Sequence, residues 1–163
     1  MNPSLPPLVE RVRAVLPADQ ELYLVGGAVR DLLLEKPSHD FDFVLPSKAI
    51  ATARRVANAL GAAFYPLDVS RDVGRVILNE GLERATLDFI AWQGADIDSD
   101  LAARDLTINA MAIDLRHPEA LLDPLGGVAD LTARRVRACS QDAFRTDPVR
   151  RSCTSAMTSL SHF

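Results

Sequence analysis

The stretch from Leu24 to Leu45, LVGGAVRDLLLEKPSHDFDFVL, decides how the rest of the chain is read. Glu21 to Val25 predicts a strand, Gly26-Gly27 a turn, and Ala28 to Leu34 a helix stopped by Pro37. Asp40 to Leu45 then alternates polar and apolar as a half-buried strand does. Side chains alternate across a strand, so Asp40 and Asp42 project from one face, with α-carbons roughly 6.6 Å apart, while Phe41 and Phe43 anchor the other. Two carboxylates brought to ~4 Å repel by about 4 kcal/mol at an effective dielectric near 20, which a protein offsets with a cation or a raised pKa. Magnesium suits such a pair, because it takes oxygen ligands and is commonly held by one or two carboxylates together with substrate phosphates. The glycine turn allows backbone N–H groups to approach an anion at a helix start, so phosphate fits beside Gly26 and Gly27. Arg30, one turn into that helix, is placed to meet the same triphosphate through its guanidinium fork, with Asp31 orienting it or pairing elsewhere. Singly, each feature has a plain structural reading: a solvated acidic pair, a tight turn, a surface ion pair. The combination points to phosphate chemistry. Neither a G-x-x-x-x-G-K-[ST] loop nor a complete G-x-G-x-x-G is present.

Outward from this stretch, Leu8, Val12, Val15 and Leu16 predict a short helix opened by Pro6-Pro7 and closed by Pro17. A second helix is expected over 47–60, capped by Ser47, buried along Ile50, Ala53, Val56, Ala57 and Leu60, and ended by Gly61. Residues 62–90 change to period two and predict a hairpin added to the sheet, with its turn at Asn79-Glu80-Gly81. A short helix near Ser99 to Arg104, a strand over Ala110 to Leu115, a second double glycine at Gly126-Gly127 and a last strand at Val136 to Ala138 follow. Asp147-Pro148 has the form of a helix N-cap followed by proline at the first helical position.

The chain has 163 residues, 48% hydrophobic and 25% charged, an ordinary globular balance that supports one domain with a real core. No apolar run approaches the ~20 residues of a bilayer span, and the first twenty residues lack a secretory pattern, so a cytoplasmic protein without a membrane partner is expected. Cys139 and Cys153 show neither disulfide nor zinc-site spacing. A net charge of −4 argues against indiscriminate coating of nucleic acid, because that affinity comes from Lys and Arg neutralising phosphates. Residues 131–151 nevertheless carry six Arg against two Asp. Any polyanion is expected to be met there, unless this is simply a solvated basic helix face.

The quoted stretch, followed in order by LAARDLTINAMAIDL at 101–115, DPLGGVADL at 123–131 and FRTDPVR at 144–150, resembles the tRNA nucleotidyltransferase/poly(A) polymerase family, within the polymerase-beta-like nucleotidyltransferase superfamily. The resemblance covers about residues 20–151. It implies an α+β head domain with a mixed, mainly antiparallel sheet and flanking helices, over residues 1–146. It implies transfer of a nucleoside monophosphate from CTP or ATP to the 3'-hydroxyl of tRNA or another RNA, by in-line attack on the α-phosphate with pyrophosphate leaving. Asp40 and Asp42 would hold the magnesium ions. A third carboxylate commonly assists from a neighbouring strand in this superfamily, and Asp88, alternating away from Leu87 and Phe89, is the candidate for it, with a plain exposed strand aspartate as the competing reading. Arg104, Asp105 and Asn109 match the R-R-D-x-T-x-N-A segment that places the ribose and phosphates, with Ala103 in place of the first Arg. A structural role at the strand start competes for Asn109 and Thr107. Asp123, Gly126, Gly127 and Asp130 match an architectural segment. Asp147 and Arg150 match the last two charged residues of E-D-x-x-R, which read the edge of the incoming base, with Thr146 in place of the Glu.

The chain departs from the resemblance after Arg151. Relatives continue into a neck helix and RNA-gripping domains, whereas Ser152 to Phe163 holds six Ser or Thr and no formal charge. Residues 147–163 are therefore expected to be the start of a truncated neck with an aberrant tail, and transfer by this chain alone is expected to be weak or absent. Two other readings compete: a non-catalytic remnant that binds nucleotide or a partner, and a small-molecule nucleotidyltransferase. The sequence leaves open the choice among CCA, CC, A and poly(A) addition, and the oligomeric state.

Overall fold

The computed structural model describes residues 4–92 and 94–140. The expected neck start and tail, with Asp147 and Arg150, lie outside the described residues.

Helix α1 (Pro7–Val15) begins at the proline pair and turns Val9 and Val12 fully inward. Strand β1 (Tyr23–Val25), helix α2 (Gly27–Leu33) and strand β2 (Asp40–Leu45) reproduce the strand, turn, helix, strand order of the deciding stretch. Helix α3 (Ala49–Leu60) ends at Gly61, whose left-handed backbone is the kind glycine adopts at a helix C-terminus. Its start differs from the expectation. Ser47 is not the cap: Lys48 occupies that position in the left-handed region, and the Asp72 carboxylate accepts hydrogen bonds from the N–H groups of Ala49 and Ile50 at 2.8 and 2.9 Å. A side chain remote in sequence thus satisfies the two orphan donors that a local serine was expected to reach.

Three strands follow: β3 (Ala63–Asp68), β4 (Val73–Glu80) and β5 (Glu83–Ala91). The β4–β5 turn lies at Gly81-Leu82, because Glu80 pairs with Glu83, two residues later than the expected turn began. Helix α4 (Ile97–Ala102) is capped by Asp96, and a single 3-10 turn (Thr107–Asn109) shortens the strand expected from Ala110 to β6 (Ala112–Asp114). Strand β7 (Leu121–Leu122) and helix α5 (Gly127–Thr132) complete the described fold. The strand expected at Val136 to Ala138 is reduced to one bridge between Leu106 and Ala138.

The seven strands form one sheet in the order β3-β4-β5-β2-β1-β6-β7. Among the described residues only β2 and β5 pair in parallel, so the expected mixed, mainly antiparallel α+β architecture is what forms. The parallel register sets Phe43 beside Phe89, stacked at 4.9 Å between ring centres. These rings share one sheet face with Leu24, Phe41, Leu45, Leu87 and Ile113, buried under α1, α2 and α3. Gly74 lets α3 lie close on β4, since a β-carbon there would sit 2.8 Å from that of Ala53. The opposite face divides in two. Tyr23, Val25, Val44 and Ala112 form a smaller apolar cluster with Leu101 of α4, and the acidic residues lie beside it on the same face.

Candidate functional site

Strand alternation and register assemble the site. Asp42 of β2 pairs with Val25 of β1 on one side and with Asp88 of β5 on the other, and Asp88 pairs with Arg75 of β4. Arg75, Asp88 and Asp42 therefore form a row across three strands about 4.8 Å apart. Asp40 stands two residues from Asp42 on the same side and is exposed, while Phe41 and Phe43 are 3% and 0% exposed on the other. The expected opposition of acids and rings across β2 is observed, as is the outward turn of Asp88 between the fully buried Leu87 and Phe89.

Burial pushes the Asp42 carboxyl above its ordinary pKa, and the negative charges of Asp88 and Asp40 push the same way, against the opposing guanidinium groups of Arg104 and Arg75. Burial is the largest of these influences, so the charged form of Asp42 is disfavoured chiefly by lost hydration. No group of three or more His, Cys, Asp or Glu among the described residues forms a ready metal cage. The geometry shows where the third acid is engaged: Asp88 accepts from Arg75 Nε and Nη2 through its two oxygens, at 2.7 Å each. Two carboxylates with substrate phosphates remain an adequate donor set for a hard divalent ion.

The glycine turn approaches Asp42 of this row. Gly26 has φ 73° and ψ −142°, a backbone that L side chains rarely adopt, and a β-carbon there would lie 3.4 Å from Asp42 Oδ2 and 3.2 Å from Arg104 Nη1. The turn, Asp42 and Arg104 are thus in mutual reach. Arg104 is held at 3.1 Å by Asp100, one helical turn earlier.

Arg30 is tied down differently. Its Nη1 donates to Asn109 Oδ1 at 2.7 Å, and its Nε and Nη2 donate to Asp31 Oδ1 at 3.0 and 2.9 Å. Arg30 and Asn109 therefore link α2 to the 3-10 turn, and Asp105 Oδ1 joins the group by accepting from Asn109 Nδ2 at 3.5 Å and from the Leu106 N–H at 2.7 Å. These hydrogen bonds hold the loop around the turn. Asp123 accepts from the Gly127 and Val128 N–H groups, and the buried Asp130 accepts from the Thr107 hydroxyl at 2.6 Å and from Arg137 Nε at 2.8 Å. The second double glycine starts a helix that periodicity did not reveal. Gly127 is needed because a β-carbon would collide with the Thr107 carbonyl oxygen.

Sequence reasoning did not single out Arg75 or Asp100. The available signal was register: with the β4–β5 turn placed at Gly81-Leu82, Arg75 falls opposite Asp88. Asp100 lies four residues before Arg104, the spacing at which helical side chains meet.

The chain belongs to the Poly A polymerase head domain family, whose match spans residues 22–137. It is 48% identical over 128 residues to a CC-adding tRNA nucleotidyltransferase of Geobacter sulfurreducens, covering 78% of this chain and 29% of that protein. It is 43% identical over 127 residues to an A-adding tRNA nucleotidyltransferase of Deinococcus radiodurans, covering 78% of this chain and 27% of that protein. The chain thus spans under a third of the length of these curated relatives. Among solved structures, a Thermotoga maritima CCA-adding enzyme complexed with tRNA superposes with a TM-score of 0.76 at 30% identity, over 91% of this chain and 36% of that one. A tRNA-processing enzyme with CTP superposes with a TM-score of 0.70 at 35% identity, over 80% of this chain and 36% of that one. No helix among the described residues is long and apolar enough to cross a membrane.

Proposed function

We propose that this chain is the nucleotide-binding and catalytic head of an RNA nucleotidyltransferase, which takes CTP or ATP and extends the 3'-hydroxyl of a tRNA or similar RNA by one nucleoside monophosphate. The observation that carries the reading is the approach of Asp42, Arg104 and the Gly26 turn within one small volume, on a sheet face that also bears Asp40 and Asp88. The similar structures with CTP and with tRNA support the same substrate classes.

In this reading Asp40 and Asp42, two carboxylates on one side of β2, hold magnesium together with the substrate phosphates. When bound, the ions supply charge neutralisation at the α-phosphate and lower the pKa of the attacking hydroxyl. The chain's residues perform the remaining work. The N–H groups at the start of α2 and the Arg104 guanidinium bind the triphosphate's negative oxygens. Arg30 fixes Asn109, so that Asn109 and Asp105 present a preset edge to the ribose. The RNA 3'-oxygen attacks the α-phosphorus, the bond from that phosphorus to the bridging oxygen breaks, pyrophosphate departs with the electron pair, and the hydroxyl proton passes to solvent or to an acid of the row. Positioning and electrostatics account for the catalysis, with no covalent enzyme intermediate. Asp147 and Arg150 are proposed to read the base edge, and residues 147–163 to begin the segment beyond the head.

The test is incorporation of labelled CTP or ATP, with magnesium, into tRNA lacking its terminal nucleotides, beside an Asp40→Ala/Asp42→Ala control. Incorporation or magnesium-dependent nucleotide binding that disappears in the double variant supports the reading. Nucleotide binding indifferent to both substitutions overturns it.

A further inference from the structure

Arg75 stands at the end of the acidic row, on the strand beyond Asp88, and engages both Asp88 oxygens at 2.7 Å. The Asp88 side chain is 17% exposed and that of Arg75 38%, so the charged ends of the pair are only partly hydrated. A guanidinium fork bound to both oxygens leaves that carboxylate little capacity for a second cation. Asp88 is also the direct parallel neighbour of Asp42, the carboxylate nearest the glycine turn. We propose that Arg75 is a resident counter-cation that competes with the divalent ion for Asp88 and so sets the metal affinity of the site. In the metal-free chain the arginine neutralises the row's third acid. Metal entry draws Asp88 toward Asp42, and Arg75 gives up part of its fork. Arg75 is a positioning residue here, acting on the metal through Asp88. The proposal rests on the assignment of Asp40 and Asp42 to the metal.

The experiment measures binding of Mn2+ alone to the full chain, by electron paramagnetic resonance of the free ion, in the parent and in Arg75→Gln, Arg75→Lys, Asp88→Asn, Asp42→Asn and the Arg75→Gln/Asp88→Asn double variant. Release of a partly exposed bidentate pair is expected to tighten binding in Arg75→Gln by roughly 3- to 10-fold, with Arg75→Lys, a point charge without the fork, in between. In the Asp88→Asn background the same change is expected to gain less than about 2-fold, because the competition acts through Asp88. Thermal unfolding of the metal-free chain gives the second readout: Arg75→Gln is expected to melt lower without metal and to gain more from added Mn2+ than the parent. If Arg75→Gln does not fold, Arg75→Lys carries the test alone. Parent binding that needs Asp42 but is unchanged or weakened by Arg75 substitution overturns this proposal and leaves the metal assignment standing. Absence of Asp42-dependent binding in the parent overturns both.

Discussion

Replacing Gly26 with alanine separates the site from the scaffold, because two costs act there and one of them is reproducible elsewhere in the chain. The backbone at φ 73° and ψ −142° belongs nearly to glycine alone, which sets a strain of about 1–3 kcal/mol for any β-carbon. The new methyl would also meet Arg104 Nη1 at 3.2 Å and Asp42 Oδ2 at 3.4 Å. Arg104 can withdraw only by weakening its 3.1 Å bond to Asp100, and Asp42 is fixed by its place in β2. Gly61 is the control: it has φ 64° and ψ 31°, and a methyl group added there would meet nothing within 4 Å, so Gly61→Ala bears about 1–2 kcal/mol of left-handed strain alone. At about 2–4 °C per kcal/mol for a chain of this size, both variants should lose several degrees in thermal unfolding. Only Gly26→Ala should also lose nucleotide. Displacing the arginine and the acid together is expected to weaken magnesium-dependent CTP or ATP binding by about 10-fold or more, equivalent to ~1.4 kcal/mol, in titration calorimetry. Binding by Gly26→Ala within twofold of Gly61→Ala would refute the placement of the nucleotide against this turn.

Two further substitutions test the electrostatics and the scaffold. Burial, then Asp88 and Asp40, holds the Asp42 carboxyl above its ordinary pKa, so the folded chain keeps its proton more readily than the unfolded chain. The stability contributed by this group is present in full at acid pH and is lost as pH rises through the raised value. Asp42→Asn is therefore expected to melt higher than the parent near neutral pH in metal-free buffer, with the gap closing as pH falls into the carboxylate range. A lower melting temperature at neutral pH would show that Asp42 is held by favourable partners. Asp72→Ala removes the two bonds to the N–H groups of Ala49 and Ile50 and is expected to cost about 1–2 kcal/mol in denaturant unfolding. Asp72→Asn, which tolerates the positive φ of 54° but keeps one acceptor oxygen for the two N–H groups, should recover up to about half of that, and equal losses would contradict the capping role.

The boundaries of β2 were readable to the residue, because four alternating positions, Asp40 to Phe43, followed by the apolar pair Val44-Leu45, lie between a proline-marked break and a second proline and left a single register. The acid face of that strand followed from the same alternation. What sequence could not supply was contact at long range. Asp72 reaches α3 from a turn more than twenty residues away, and nothing local to Ser47 announces that its role has been taken. Arg75 becomes part of the site only through the pairing of β4 with β5, which depends on where the hairpin turns. Helix α5 escaped periodicity because six residues are too few to show an amphipathic pattern and its start is fixed by Asp123 and Gly127. Arg30 illustrates the opposite case. Its place one turn into α2 was legible, but its partner Asn109 lies in a separate motif, and only the fold joins the two.

In the proposed function the acids of β2 and the Gly26-Gly27 turn hold a metal–nucleotide complex between them. Diffraction from crystals soaked with Mn2+ and a non-hydrolysable CTP analogue tests it directly, at a wavelength where manganese scatters anomalously. The predicted result is an anomalous peak within ligand distance of Asp40 and Asp42 oxygens, with the triphosphate against the start of α2 and Arg104. A peak and nucleotide seated elsewhere, with Asp40 and Asp42 left without metal, would contradict it.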